Sequence, residues 1–332
     1  MSVLDTQRDL LFAAIEQYSD HPSAFISYND DVECFTVAGI PGAVAYRTRG
    51  RSVFQFAAPF TAPQHRTELS EAFREWTRAR RLKLGVVQLR GEDAADYVER
   101  GFTVDQFGSS YSIDLSAFTL KGKPLAKVRQ NISRAERDGV SVSQVLGTGS
   151  QVAELDEIDR EWLRAKGWHV KKMTFLVGQR DGRGGPHRRM FTAILDGRVV
   201  AYISYSPAYG SRPGWLYDLT RRLPQAPVGT IELLNHLALR VFREEGAGWL
   251  HLGLTPFAGV SSAHVVPGGS TRLMSGLVQL LAEHGAAVYP AASQERFKRK
   301  WAPHVVEPEY LAFDGRQRPT QVWHLLRMTN SI

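Results

Sequence analysis

One cysteine in 332 residues leaves no intramolecular disulfide to form. That fits a reducing cytosol. Cys34 sits in the alternating run "DVECFTVAG", away from any catalytic pattern, and reads as a packing residue. No uninterrupted apolar run is long enough to span a bilayer. The opening "MSVLDTQRDLLFAAIEQYSD" reads as an amphipathic helix and not as a signal peptide. The expectation is a soluble, cytoplasmic protein, or one that meets a membrane only at its surface. Nucleotide loops are also missing, since no glycine-rich motif follows a strand. The stretch "RDGRGGPHRR" (180–189) contains glycines but has no strong strand before it. It reads as a flexible basic loop, and less readily as a lid. Ten histidines show no HExxH or other tight ligand spacing, so no metal site is expected. A G-x-S-x-G nucleophile elbow is absent.

What is present is an ordinary apolar fraction of 43%, which is enough for a real core, and interspersed charges with a formal net charge of +7. The excess of cations suits a polyanionic partner (nucleic acid, phosphate or an anionic membrane surface), and equally suits a basic protein with no such partner. "VECFTVAGI", "GAVAYRT" and "SVFQFAA" read as strands, residues 64–81 as a helix, "LKLGVVQL" as a buried strand, "EDAADYVERGF" as a helix and "SSYSIDL" as another strand. In "GKPLAKVRQNISRAERDGV", Leu125, Val128, Ile132 and Ala135 form one helical stripe, opposite Lys127, Arg134 and Arg137. The second half repeats the plan: a helix in "SQVAELDEIDREWLRAKG", a hairpin around Asp196-Gly197, a strand in "GWLYDLTRR", a helix over 230–245, a strand in "WLHLGL", two helical stretches and a final strand near "EYLAF". Two mixed α/β domains of similar plan, with a basic helix between them, are therefore expected.

The chemistry concentrates in "WLYDLTRRLPQAPVGTIELLNH" (215–236). Gly229 marks the start of a helix whose free N–H groups suit a phosphate or carboxylate. Arg221 and Arg222 add cations at the preceding strand end. Asp218 at a strand end could bind an ammonium or take a proton. Alternatively, Asp218 and Arg221 form a structural salt bridge. Glu232 lies in the first helical turn, where the dipole favours a carboxylate whatever its function. His251 in "WLHLGLTP" is a site residue or a satisfied buried histidine.

These residues carry a resemblance. "YDLTRRLPQAPVGTIELL…GWLHLGLTPFAGV" resembles the C-terminal catalytic domain of the lysylphosphatidylglycerol synthases, or multiple peptide resistance factors. Asp218, Leu219 and Arg221 match that family's D-L-M-R. Ala226, Pro227 and Gly229 match its A-P-N-G-x-M-D, with Val228 for Asn and Glu232 for Asp. Leu252, Gly253, Pro256 and Gly259 match its N-L-G-M-A-P-L-S-G, with Thr255, Phe257 and Ala258 for Ala, Leu and Ser. "EIDREWLRAKGWHVKKMTFLVGQ" and "ERFKRKWAPHVVEPEYLAF" resemble two further family segments, the second one residue longer than usual.

The resemblance implies an α/β (α+β) fold, a tandem pair of GNAT-like acyltransferase domains. The expected division is an N-terminal domain over 1–120, a basic linker helix over 121–140 and a catalytic domain over 141–332. It implies an aminoacyltransferase that moves an aminoacyl group from aminoacyl-tRNA to a hydroxyl, hydroxylamine or amine acceptor. The acceptor stays open between a phosphatidylglycerol-like lipid and a small metabolite, because the family's membrane flippase region is not in this sequence. No cofactor is implied beyond aminoacyl-tRNA as donor substrate. By matched position Asp218, Arg221 and Glu232 are catalytic. Lys127, Arg129, Arg134 and Arg137 face the tRNA backbone, and Lys298 and Lys300 serve its 3′ end or an oxyanion. Arg222, Gly229, His251 and Thr255 line the pocket. Two other readings remain: an acyl-CoA-dependent GNAT-type acyltransferase, and a non-catalytic RNA- or membrane-binding module.

Overall fold

The computed structural model describes residues 3–145, 152–166, 174–269 and 291–330. Part of the expected "EWLRAKGWHVKKMTF" match and one of the two late helical stretches lie outside them.

Among the described residues, the strands join one eleven-stranded sheet. In chain order they are β1 (Glu33–Val37), β2 (Ile40–Arg49), β3 (Ser52–Phe56), β4 (Lys83–Arg90), β5 (Phe102–Asp114), β6 (Ser141–Val145), β7 (Arg189–Leu195), β8 (Arg198–Ala208), β9 (Gly214–Arg222), β10 (Trp249–Pro256) and β11 (Val305–Asp314). Across the sheet they run β1-β2-β3-β4-β11-β5-β10-β9-β8-β7-β6. The helices are α1 (Val3–Tyr18), α2 (Arg66–Ala79), α3 (Gly91–Glu99), α4 (Ala126–Arg137), α5 (Val152–Lys166), α6 (Thr230–Glu244), α7 (Ala291–Arg299) and α8 (Pro319–Met328).

Local chemistry accounts for most of these elements. Asp196 and Gly197 both take positive φ, which a tight β7–β8 hairpin demands. α4 buries Val128, Ile132 and Ala135, as its stripe predicts, and packs on α6. β5 is longer than its sequence signal. It begins at Phe102, and every residue but the last is buried. The reason is that Thr103, Asp105, Gln106, Ser109 and Ser110 interrupt the apolar run yet lie in the middle of the sheet. Cys34 packs beside the core beneath α1, and burial pushes its thiol up to about 12.

The last strand and helix return to the N-terminal half. β11 inserts between β4 and β5 and pairs with both, and α8 packs on β2 and β3. Residues 141–332 are thus spread over both halves of a continuous sheet, because the place between β4 and β5 is filled from the far end of the chain.

Candidate active site at the parting of two strands

β9 and β10 run parallel but pair only at Gly214–Trp249, Trp215–Leu250 and Leu216–His251. Beyond these pairs the strands part. α7 bridges the parted edges. Phe297 sets its ring 5.6 Å from that of Tyr217 on β9. Lys298 donates to the carbonyls of Gly253 and Leu254 on β10, both at 2.8 Å. Burial pulls the Lys298 amine down to about 7, with Glu309 opposing the shift.

Asp218 and Arg221 share a face of β9 only because of a bulge. Ser204 pairs with Leu219 and Tyr205 with Tyr217, so Asp218 is the extra residue. Strict alternation would place residues three apart on opposite faces. The bulge turns Asp218 toward Ser206, while Arg221 lies across from Tyr202, both on the even-numbered face of β8. The two are not each other's ion pair. The Asp218 carboxylate is fully enclosed and accepts from the Ser206 hydroxyl, with Arg188 Nε at 3.4 Å. Burial raises its pKa against the pull of Arg188 and Ser206. Arg221 instead stands 3.7 Å from Asp159 of α5 and lies over the Trp162 ring at 3.9 Å. Burial lowers its pKa, and Asp159 resists the change. Asp159 also accepts from the Tyr202 hydroxyl and lies 3.5 Å from Arg180.

The start of α6 is not an open anion cradle. Gly229 adopts φ 98°, and a Cβ there would fall 1.9 Å from the carbonyl oxygen of Asn131 on α4. Glu232 accepts from the Asn131 amide at 2.6 Å and from Lys300 at 2.8 Å. Burial works to raise its pKa, but Lys300 and Asn131 outweigh burial and hold it low. Arg222 is exposed, and its nearest recorded acceptor is the Ala226 carbonyl at 3.5 Å. His251 is a satisfied buried histidine. Its Nε2 donates to the Arg212 carbonyl at 3.0 Å, and its Nδ1 accepts from the Ser112 hydroxyl at 2.8 Å. Burial draws its pKa down to about 4, so it is neutral. Thr255 is fully buried, and its hydroxyl has no hydrogen-bond partner among the described residues.

Of the basic candidates, Lys127, Arg134 and Arg137 are exposed on α4. Arg134 stands 3.7 Å from Asp138. Arg129 does not stand free beside them, because its guanidinium is bound to the carbonyls of Leu120 and Gly122. Lys298 is buried and Lys300 is partly exposed.

The residues that sequence reasoning missed are the partners. Arg188, Ser206 and Gly178 enclose Asp218. Asp159 and Trp162 hold Arg221, and Asn131 holds Glu232. Two quoted segments carried a signal: "EIDREWLRAKGWHVKKMTFLVGQ" holds Asp159, Trp162 and Gly178, and "RDGRGGPHRR" holds Arg188. The arginines of the second tie that loop to its neighbours. Arg183 donates to the carbonyls of Tyr28, Asn29 and Val32, and Arg188 donates to the Asn29 side chain and to Ser206. Its glycines allow close approach: a Cβ on Gly184 would meet the Arg188 guanidinium at 2.6 Å.

Among the described residues no group of three or more His, Cys, Asp or Glu could hold a metal ion. No helix there is long and apolar enough to cross a membrane.

The family model described as phosphatidylglycerol lysyltransferase, C-terminal, matches residues 12–313. The chain belongs to this family. It is 31% identical over 185 residues to a phosphatidylglycerol lysyltransferase of Bacillus subtilis, which covers 53% of this chain and 20% of that protein. It is 27% identical over 297 residues to the lysylphosphatidylglycerol biosynthesis bifunctional protein LysX of Mycobacterium ulcerans, covering 86% of this chain and 26% of that protein. The chain therefore spans about a quarter or less of these relatives. The solved structure of L-PGS from Bacillus licheniformis superposes with a TM-score of 0.77 at 20% identity, covering 98% of this chain and 96% of that one. At that identity the likeness concerns the fold.

Proposed function

We propose that this lysyltransferase-family chain is an aminoacyltransferase that carries an aminoacyl group from aminoacyl-tRNA to the hydroxyl of a phosphatidylglycerol-like lipid. The observation that carries the reading is the opening between β9 and β10, bridged by Phe297 and Lys298. A protonated Lys298 has three N–H groups there, of which the Gly253 and Leu254 carbonyls take two. Fixed donors of this kind stabilise the oxyanion of a tetrahedral intermediate. The acceptor oxygen attacks the ester carbonyl, the bond to the tRNA 3′ oxygen breaks, and the acceptor's proton ends on that oxygen. The ester is already activated, so positioning supplies much of the rate. In this reading Arg221 and Lys298 face the reacting ester. Asp218 holds the wall behind it through Arg188, and Glu232 positions Lys300. Lys127, Arg134, Arg137 and Lys300 hold tRNA phosphates.

The fold is read as two GNAT-like halves fused edge to edge, with α4 as the connector. The chain would work from the cytoplasmic side and touch the anionic membrane surface only peripherally. A CoA donor is disfavoured at the α6 start, since Asn131, Glu232 and Lys300 fill the ground where a pyrophosphate would sit. The test is to incubate the protein with labelled aminoacyl-tRNAs and phosphatidylglycerol vesicles, with labelled acetyl-CoA in parallel. Label moving from one tRNA species into lipid supports the reading. Label moving into a water-soluble product would replace the lipid with a small acceptor. Consumption of acetyl-CoA alone would overturn the donor. Saturable tRNA binding with no transfer would leave a binding module.

A further inference from the structure

The N-terminal half of the sheet encloses a second space. A cavity of about 200 Å³ opens beside β4, β5 and β11, lined by His21, Arg90, Glu92, Ser110, Glu307 and Glu309 among others. None of these residues belongs to the group around Asp218, Arg221 and Glu232. The volume is many times what one water needs.

The charges around it do not balance. Arg90 stands 2.7 Å from Asp20, 3.0 Å from Glu92 and 3.7 Å from Glu307. Arg212 grips both oxygens of Glu307, at 2.7 and 2.9 Å. Two guanidinium groups thus serve three carboxylates, and Glu309 remains as a fourth. It is 2% exposed, and no arginine or lysine of the described residues lies within ion-pair distance of it. Its Oε2 is buried and accepts no hydrogen bond. His21 does not supply the missing cation, although its Nε2 is 3.9 Å away. Its Nδ1 accepts from the Ser23 amide, and burial pulls its pKa down to about 3. Lys298 acts on Glu309 only at longer range, with its own hydrogens on Gly253 and Leu254. Burial pushes Glu309 up to about 7, against Ser110, Lys298 and Arg90. A buried carboxylate without a counter-charge is costly, and a cation brought to it removes that cost.

We propose that this cavity binds a small organic ammonium ion, R–NH3+, whose charge compensates the Glu309 carboxylate on its wall. The site does not depend on the transfer reaction of the preceding subsection, and either can fail alone. A free amine and an amine-bearing lipid headgroup share this chemistry.

The experiment titrates the whole chain with ethylamine at constant ionic strength in KCl, by calorimetry and by NMR shifts, at pH 6 and pH 8. Propan-1-ol serves as the uncharged control. Ethylamine stays protonated across this range, and Glu309 goes from mostly neutral to mostly charged. Affinity should therefore be about tenfold higher at pH 8 than at pH 6. Propan-1-ol should not compete, and Glu309→Gln should abolish both the binding and the pH dependence. A parallel arm with phosphatidylethanolamine vesicles separates the sources: binding that Glu309→Gln removes there assigns a headgroup, and binding to ethylamine alone assigns a free amine. Absence of saturable ethylamine binding at pH 8 overturns the proposal. So does an affinity independent of pH, or one equalled by propan-1-ol, and these two readouts stand even if the variant does not fold.

Discussion

Asp218 keeps its carboxylate wholly inside the protein, against Arg188 and Ser206, so its first task is to hold a wall. Asp218→Asn leaves the Arg188 guanidinium buried without its counter-charge and should cost about 3 kcal/mol in urea unfolding. Adding Arg188→Met should recover part of that loss. If the double variant is no more stable than the single one, the pair is not the unit described. Lys298 and Glu309 predict opposite pH dependences. The Lys298 pKa is depressed to about 7, so the unfolded chain binds more protons between pH 7 and roughly 10, and stability rises with pH across that window. The Glu309 pKa is raised to about 7, so its contribution is complete below roughly pH 4.5 and is lost as pH climbs through 7. Lys298→Met should flatten the alkaline rise of the urea midpoint, and Glu309→Gln the fall between pH 4.5 and 7. Unchanged slopes would contradict the burial of both groups. The positions of Asp218, Arg221 and Glu232 near one another along the chain were legible in the sequence. Their partners were not, because Arg188, Asp159 and Asn131 come from separate elements, and because one bulge decides which face Asp218 takes.

Among elements, α4 was the most readable, since its apolar stripe and its exposed cations both follow helical spacing. If Lys127 and Arg134 hold tRNA phosphates, the double variant Lys127→Glu, Arg134→Glu should weaken tRNA binding. It should also flatten the plot of log affinity against log salt by about two phosphate contacts. Filter binding across a salt series reads this directly, and an unchanged slope would remove α4 from the interface. The contact of α4 with α6 carries its own prediction. Gly229→Ala places a methyl into the Asn131 carbonyl and strains a positive φ. It should destabilise the chain by about 2 kcal/mol or more and loosen the Glu232–Lys300 pair. Thermal unfolding tests it, and a neutral effect would mean that the helices do not meet so closely. β5 was the least readable strand, because periodicity rewards apolar runs and this strand buries serines, glutamine and aspartate at the centre of the sheet.

At the scale of the molecule, the mixed α/β class was legible. The exchange of the last strand was not, since no local pattern says which strands β11 will join. That insertion makes the halves interdependent. A fragment of residues 1–120 exposes the edges of β4 and β5 that β11 covers and should lack a cooperative unfolding transition, while the whole chain should unfold in one. A stable, cooperative fragment would show that β11 only decorates the N-terminal half.

Whether the reacting ester lies where β9 and β10 part can be read from a single kinetic comparison. This is the single-turnover rate of label transfer from aminoacyl-tRNA to phosphatidylglycerol vesicles, compared between wild type, Lys298→Met and His251→Asn, with tRNA affinity measured alongside. With the ester at that opening, Lys298→Met should slow transfer by about a hundredfold, the scale of losing one oxyanion donor. The tRNA affinity of that variant should be unchanged, and His251→Asn should transfer at a near-normal rate. A folded Lys298→Met protein that transfers at the wild-type rate would place the ester elsewhere.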